Sequence, residues 1–260
     1  MTGAVPTGTT LDGFHRGAFW VVQPAGRGHR SGTDAMLLAG AVPDGFAGVV
    51  ADLGAGAGAA GLAVLSRCDR TTALLVERSP DMAAHARATL ERAENAEFAG
   101  RARVVELDVT APGRQRAAAG LPDNAADFAI MNPPFNAAHD RATPDTLRRE
   151  AHVMEDDLFA RWLRTASAIV RPRGGFAAIV RPADLAALLA ALQGRFGGAE
   201  VKPIHPRPDR PAIRVVVRAW RGSRAGMRLM PALAMHEAEG NRFSAAADAV
   251  TNGCESLFGD

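Results

Sequence analysis

A short apolar run, Val49-Val-Ala-Asp-Leu53, gives way to a glycine-rich turn, Gly54-Ala-Gly-Ala-Gly58, and then to a helical stretch from Ala59 to about Arg67. Glycine permits the tight turn and lets the backbone approach a ligand that a Cβ would obstruct. The amides of the helix N-terminus beside it can hold an anionic group. Gly56, Gly58 and Gly61 also spell G-x-G-x-x-G, the dinucleotide fingerprint. The loop therefore points to a nucleoside-bearing ligand without saying which one.

The chain downstream alternates strand and helix. Strands are expected at Thr72–Glu77, Arg103–Asp108, Asp127–Asn132 and Gly175–Val180, then at Glu200–Ile204 and Ile213–Trp220. Between them a helix begins at Ser79, its N-cap, with Pro80 at the first helical position and Met82, Ala86 and Leu90 at helical spacing. Further helices are expected at Leu158–Val170 and Ala183–Gln193. The stretch from Thr110 to Ala126 shows no clear pattern, and Leu229–His236 and Ser244–Asn252 suggest a last strand and helix. Alternation of this kind implies an α/β domain on a mostly parallel sheet. Residues 1–48 read as an N-terminal extension or lid, with a strand at Phe14–Gln23 and a short helix at Ser31–Ala41 capped by Thr33 or Ser31. Residues 49–260 form the main domain.

Two acids narrow the ligand. Glu77 ends the second strand about 20 residues beyond the glycine loop, where a carboxylate can bind ribose hydroxyls. Asp108, ending the third, can accept from an adenine amino group or simply form a turn. NAD and S-adenosylmethionine both carry an adenosine, so these residues admit either.

Asn132-Pro-Pro-Phe135, ending the fourth strand, decides between them. The Asn132 side chain offers a carbonyl acceptor, and Pro133 leaves its own carbonyl free. Two in-plane acceptors can grip both protons of a planar, conjugated amine, build charge on its nitrogen and favour attack on a sulfonium methyl. Pro133 and Pro134 stiffen the loop, and Phe135 can stack on a base turned out of its surroundings. Hydride transfer would need none of this.

With these residues in hand the chain resembles the class I methyltransferases that carry an Asn-Pro-Pro-aromatic motif. Within them it is most similar to the bacterial family that methylates N6 of an anticodon-loop adenine in valine tRNA. Gly32-Thr-Asp34 followed by Leu37-Leu38, the Asp52–Gly58 loop, Glu77, Ala142-Thr-Pro followed by Arg148-Arg-Glu150, and Phe243–Val250 carry the resemblance. It implies a Rossmann-like fold with a seven-stranded, mostly parallel sheet and helices on both faces. It implies an S-adenosylmethionine site at Asp52, Gly54, Ala55, Gly56, Gly58, Glu77, Asp108 and Asn132, with Thr33 and Asp34 closing over the cofactor. Adenine would be held by Asn132, Pro133, Pro134 and Phe135. The family has Tyr where this chain has Phe135, and the chain contains no tyrosine; stacking needs only the ring.

Charge bears on the acceptor. The net charge is only +2, but Val201–Met230 holds Lys202, Arg207, Arg210, Arg214, Arg218, Arg221, Arg224 and Arg228 against one acid, Asp209. Such a strip suits a phosphate backbone, so RNA, tRNA first, is the expected partner, met by Lys202, Arg207, Arg210, Arg214 and Arg218. A protein glutamine amide, a guanine N2 in ribosomal RNA, or a non-catalytic S-adenosylmethionine-binding RNA module also suit parts of the pattern. Two cysteines, Cys68 and Cys254, imply neither a disulfide framework nor a metal site. The start of the chain lacks the features of a signal peptide, and a cytoplasmic location is expected.

Overall fold

The computed structural model describes residues 8–25, 31–133 and 158–260. Its centre is a sheet whose seven main strands are β3 (Gly48–Leu53), β4 (Thr71–Glu77), β5 (Ala102–Glu106), β6 (Ala126–Met131), β7 (Val170–Val180), β8 (Phe196–His205) and β9 (Arg214–Arg221). They lie in the order β8-β9-β7-β6-β3-β4-β5. All are parallel except β9, which runs antiparallel to both β7 and β8. The chain steps outward from β3 in one direction and from β6 in the other, leaving a topological switch point between these two strands. Two residue-pair strands, β10 (Arg228–Leu229) and β11 (Leu233–Ala234), extend the edge beyond β8. They replace the single strand expected at Leu229–His236; Pro231 between them has no N–H to give a ladder.

Side chains alternate across this sheet with period two, so each strand feeds two cores. Val50, Leu75, Ile130, Ile179 and Val216 face helices α1 (Thr33–Gly40), α2 (Ala59–Arg67), α3 (Pro80–Leu90) and α7 (Ala245–Thr251). Ala51, Val76, Met131, Val180 and Val217 face α5 (residues 158–169) and α6 (Leu185–Leu192). This is the Rossmann-like arrangement the sequence implied. The start of α3 follows the capping rule: the Ser79 hydroxyl accepts from Met82 N–H. A short helix, α4 (Gly113–Ala118), occupies the segment that had no clear pattern.

The leading residues differ from expectation in detail. Instead of one strand there is an antiparallel hairpin, β1 (Thr9–Phe14) and β2 (Phe19–Pro24), turning through residues 15–17. Its turn has no Asn-Gly signature and places His15 and Arg16 at positive φ. Tertiary contacts hold it: His15 is buried, its Nδ1 2.6 Å from Ser66 Oγ on α2. Asn95 accepts from Trp20 N–H and donates to the Trp20 carbonyl, stitching β2 to the segment after α3. Phe19, Val21 and all of α1 from Ala35 to Ala39 share the first core with Val50 and Leu62, so no break in packing marks residue 49. α1 begins after Gly32, with neither Ser31 nor Thr33 acting as a side-chain cap.

Candidate active site

Strand register aligns the expected residues in one row. Leu53 pairs with Val76 on one side and Met131 on the other, so Gly54 stands beside Glu77 and Asn132. Glu77 pairs with Glu106, two residues before Asp108. Beyond Asn132, β7 ends at Val180, opposite Val215 of β9, which puts Arg214 on the same edge. Neighbouring strands lie about 4.8 Å apart, so this row spans the carboxyl edge of the sheet across its switch point, where open α/β sheets bind ligands.

The glycine loop is fastened from beneath. The N–H groups of Gly54 and Ala55 both donate to the Val76 carbonyl, at 2.8 and 3.0 Å. Gly54 has φ +74°, and a Cβ there would stand 2.7 Å from the Trp162 ring of α5. Trp162 thus floors the loop, a role that its helical spacing alone could not distinguish from ordinary core packing. Gly56 is at φ +56°; a Cβ there would meet Met82 Cε in ordinary contact at 3.6 Å, and the Gly56 N–H donates to Glu77. Gly58 and Gly61 also allow close packing, since a Cβ on either would meet Leu75 at under 3 Å.

Two buried carboxylates brace this loop. Asp52 accepts from Gly61 N–H at 2.9 Å. Burial drives its pKa up to about 7; the Gly61 amide opposes that rise, and nearby Glu77 adds to it. Glu77 uses one oxygen for Gly56 N–H, at 2.9 Å, and the other for Ser79 N–H, at 2.8 Å. Each oxygen keeps a lone pair, so the carboxylate retains capacity for two further donors such as ribose hydroxyls. Asp108 forms a local turn: its Oδ1 accepts from both the backbone and hydroxyl of Thr110, each at 2.7 Å. Desolvation pushes its pKa upward, but Thr110, Arg78 and Arg161 outweigh that and hold it below the ordinary value.

On the other side of Gly54, the Asn132 Oδ1 is buried with no hydrogen-bond partner among the described residues. An unmatched buried acceptor is costly, and here it sits at the switch point beside the glycine loop. Pro133 is buried next to it. Pro134 and Phe135 lie outside the described residues, as do Ala142 to Glu150. Thr33 is exposed at the start of α1, and Asp34 next to it pairs with Arg214 Nε at 2.8 Å.

The arginine strip does not form one face. Arg218 is a correction: only 2% exposed, it is no surface contact for RNA. Its guanidinium donates to Glu200 Oε2 (2.9 and 2.7 Å), to both carboxylate oxygens of Asp260 (2.8 and 2.7 Å) and to the Ala41 carbonyl, and it lies 4.2 Å from the Phe258 ring. Arg207 is spent on the carbonyls of Glu237, Ala238 and Gly240. Lys202 lies half-buried 5.8 Å over Phe258. Arg210 is exposed beside Asp209. Because β9 is antiparallel, Arg214 stands at the carboxyl edge while Arg221 bonds Asn124 at the opposite end. Charge counting along the sequence could not reveal this division.

Sheet order, glycine loop and the row of polar groups define a class I S-adenosylmethionine-dependent methyltransferase. A model of the methyltransferase small domain matches residues 30–198, and the chain belongs to that family. A predicted O-methyltransferase from Agrobacterium tumefaciens is 42% identical, covering 86% of this chain and 98% of that one at a TM-score of 0.75. TYW2 of M. jannaschii, solved with AdoMet, shares the fold at 13% identity and a TM-score of 0.52, covering 83% of this chain and 86% of its own. A type I restriction-modification methyltransferase subunit from Streptococcus thermophilus does so at 12% identity and 0.57, covering 86% and 53%. No curated protein matches the chain. The cofactor is S-adenosylmethionine, and the left-handed backbone at Gly56 and the spare acceptors of Glu77 fit it. No described helix is long and apolar enough to cross a membrane.

Proposed function

We propose that this methyltransferase acts on a planar, conjugated amino group, N6 of an adenine in tRNA, in the manner of the valine tRNA family it resembles. The observation that carries the reading is the buried, unpartnered Oδ1 of Asn132 on the row of strand ends. An amide oxygen is no base near neutral pH. It accepts one amino proton, with the Pro133 carbonyl taking the other, and holds the nitrogen lone pair out of conjugation. Pro134 stiffens this loop and Phe135 stacks on the base. When bound, S-adenosylmethionine supplies the electrophilic methyl group. Asp52, Gly54, Ala55, Gly56 and Gly58 shape the cofactor cradle, Glu77 takes its ribose and Asp108 its adenine. Thr33 and Asp34 of the leading segment cover it. Lys202 and Arg210 remain as RNA contacts, in a compartment taken to be the cytoplasm.

A second reading, transfer to a protein glutamine amide, gains from the burial of Arg218 and the engagement of Arg207, which remove two of the five cations assigned to RNA. The test is transfer of a labelled methyl group to bulk tRNA, ribosomal RNA and a protein extract, followed by nucleoside and amino-acid analysis. N6-methyladenosine in tRNA supports the proposal. Label on glutamine, on guanine or on a hydroxyl oxygen overturns the acceptor.

A further inference from the structure

Helix α1 is fastened at its carboxyl end many times over. The Gly40 carbonyl accepts from the N–H of Leu257, far along the chain, at 2.6 Å, and the Ala41 carbonyl accepts from Arg218. A Cβ on Gly40 would stand 2.9 Å from Val250, so α1 and α7 are in close contact there. At the other end of α1, Asp34 Oδ2 pairs with Arg214 Nε at 2.8 Å, each side chain 28% exposed. Arg214 opens β9 on the carboxyl edge of the sheet, one residue before the Val215–Val180 pair. The same strand thus pins both ends of the helix, through Arg218 at one and Arg214 at the other.

We infer that Arg214 is a positioning residue for the cofactor site: through Asp34 it holds the N-terminus of α1 against the strand ends on which S-adenosylmethionine sits. This rests on the methyltransferase reading above, and it moves Arg214 from the RNA face to the cofactor side. A group that acts by holding another leaves a particular signature. Removing Arg214 should weaken cofactor binding and raise the KM for S-adenosylmethionine while leaving kcat little changed. Once Asp34 is gone, removing Arg214 should cost less cofactor affinity than it does in the unaltered chain.

The experiment is calorimetric titration of S-adenosylmethionine into the full chain, Arg214→Ala, Arg214→Lys, Asp34→Ala and the double variant, with tRNA affinity measured in parallel. Arg214→Ala should weaken cofactor affinity about fivefold, in keeping with a partly exposed pair worth about 1 kcal/mol. Arg214→Lys should recover most of that loss, and the double variant should lose less than the sum of the two single losses. Unchanged cofactor affinity in Arg214→Ala, or additive losses in the double variant, would overturn the inference; so would a loss confined to tRNA affinity. Should Arg214→Ala unfold, Arg214→Lys and Arg214→Gln carry the comparison, Gln failing where Lys succeeds. Failure of the unaltered chain to bind S-adenosylmethionine would instead strike the underlying reading.

Discussion

Asp52 offers a stability measurement that reads the buried centre of the site directly. It is 2% exposed, and burial raises its pKa from 3.8 to about 7. Below pH 3.8 the group is protonated in folded and unfolded chains alike and costs nothing. As pH rises from there toward 7, the unfolded chain releases the proton while the folded chain retains it, and stability is lost over that interval. A difference of this size amounts to about 4 kcal/mol. Asp52→Asn keeps the shape and an oxygen for Gly61 N–H but cannot ionise. Its amide N–H₂ has its own cost, yet that cost is independent of pH and cancels when the two proteins are compared across pH. Denaturant unfolding of both at intervals from about pH 4 to about pH 8 should show the variant gaining on the parent by about 4 kcal/mol over the range. Parallel curves would refute the argument, because they would mean that Asp52 ionises as freely inside the fold as outside it.

Other consequences concern separate parts of the fold. His15 is pushed down from 6.5 to about 4 by burial and then by the Arg67 cation, so stability present above the upper value should be lost as pH falls toward the lower, by up to about 3 kcal/mol; His15→Asn should flatten that part of the profile, and an unchanged profile would remove His15 as its cause. Arg218→Ala takes away the buried partner of Glu200 and should cost about 3–5 kcal/mol in urea unfolding; a cost below about 1 kcal/mol would show the network to be solvated. Glu77→Ala should weaken S-adenosylmethionine binding about 10- to 100-fold by calorimetry, the worth of hydrogen bonds to a charged acceptor, with tRNA affinity unchanged. Equal cofactor affinity would refute the ribose assignment.

The parts of the fold legible in the sequence were those written in local pattern. The Asp52–Gly58 turn, the Ser79-Pro80 helix start and the period-two strands each carry their geometry in neighbouring residues, and α2 and α3 begin where that pattern places them. Glu77 could be placed because a strand end fixes a side chain relative to the loop before it. What stayed hidden depends on distant residues. The β1–β2 turn is held by Ser66 and Asn95 rather than by turn chemistry. α4 is too short for a periodic signal. Arg218 reads as one more surface cation until Glu200 and Asp260 close around it, and Trp162, a core residue, shows only in the fold that its ring also lies against Gly54.

The most direct test of the central claim compares the unaltered chain with Asn132→Ala in transfer of a labelled methyl group to tRNA, with S-adenosylmethionine affinity measured alongside. Asn132 as a transition-state acceptor predicts a fall in turnover of about 10²-fold or more with cofactor affinity within a few-fold of normal. Near-normal turnover in Asn132→Ala would contradict the account, because the unpartnered oxygen at the switch point would then hold nothing on which the reaction depends.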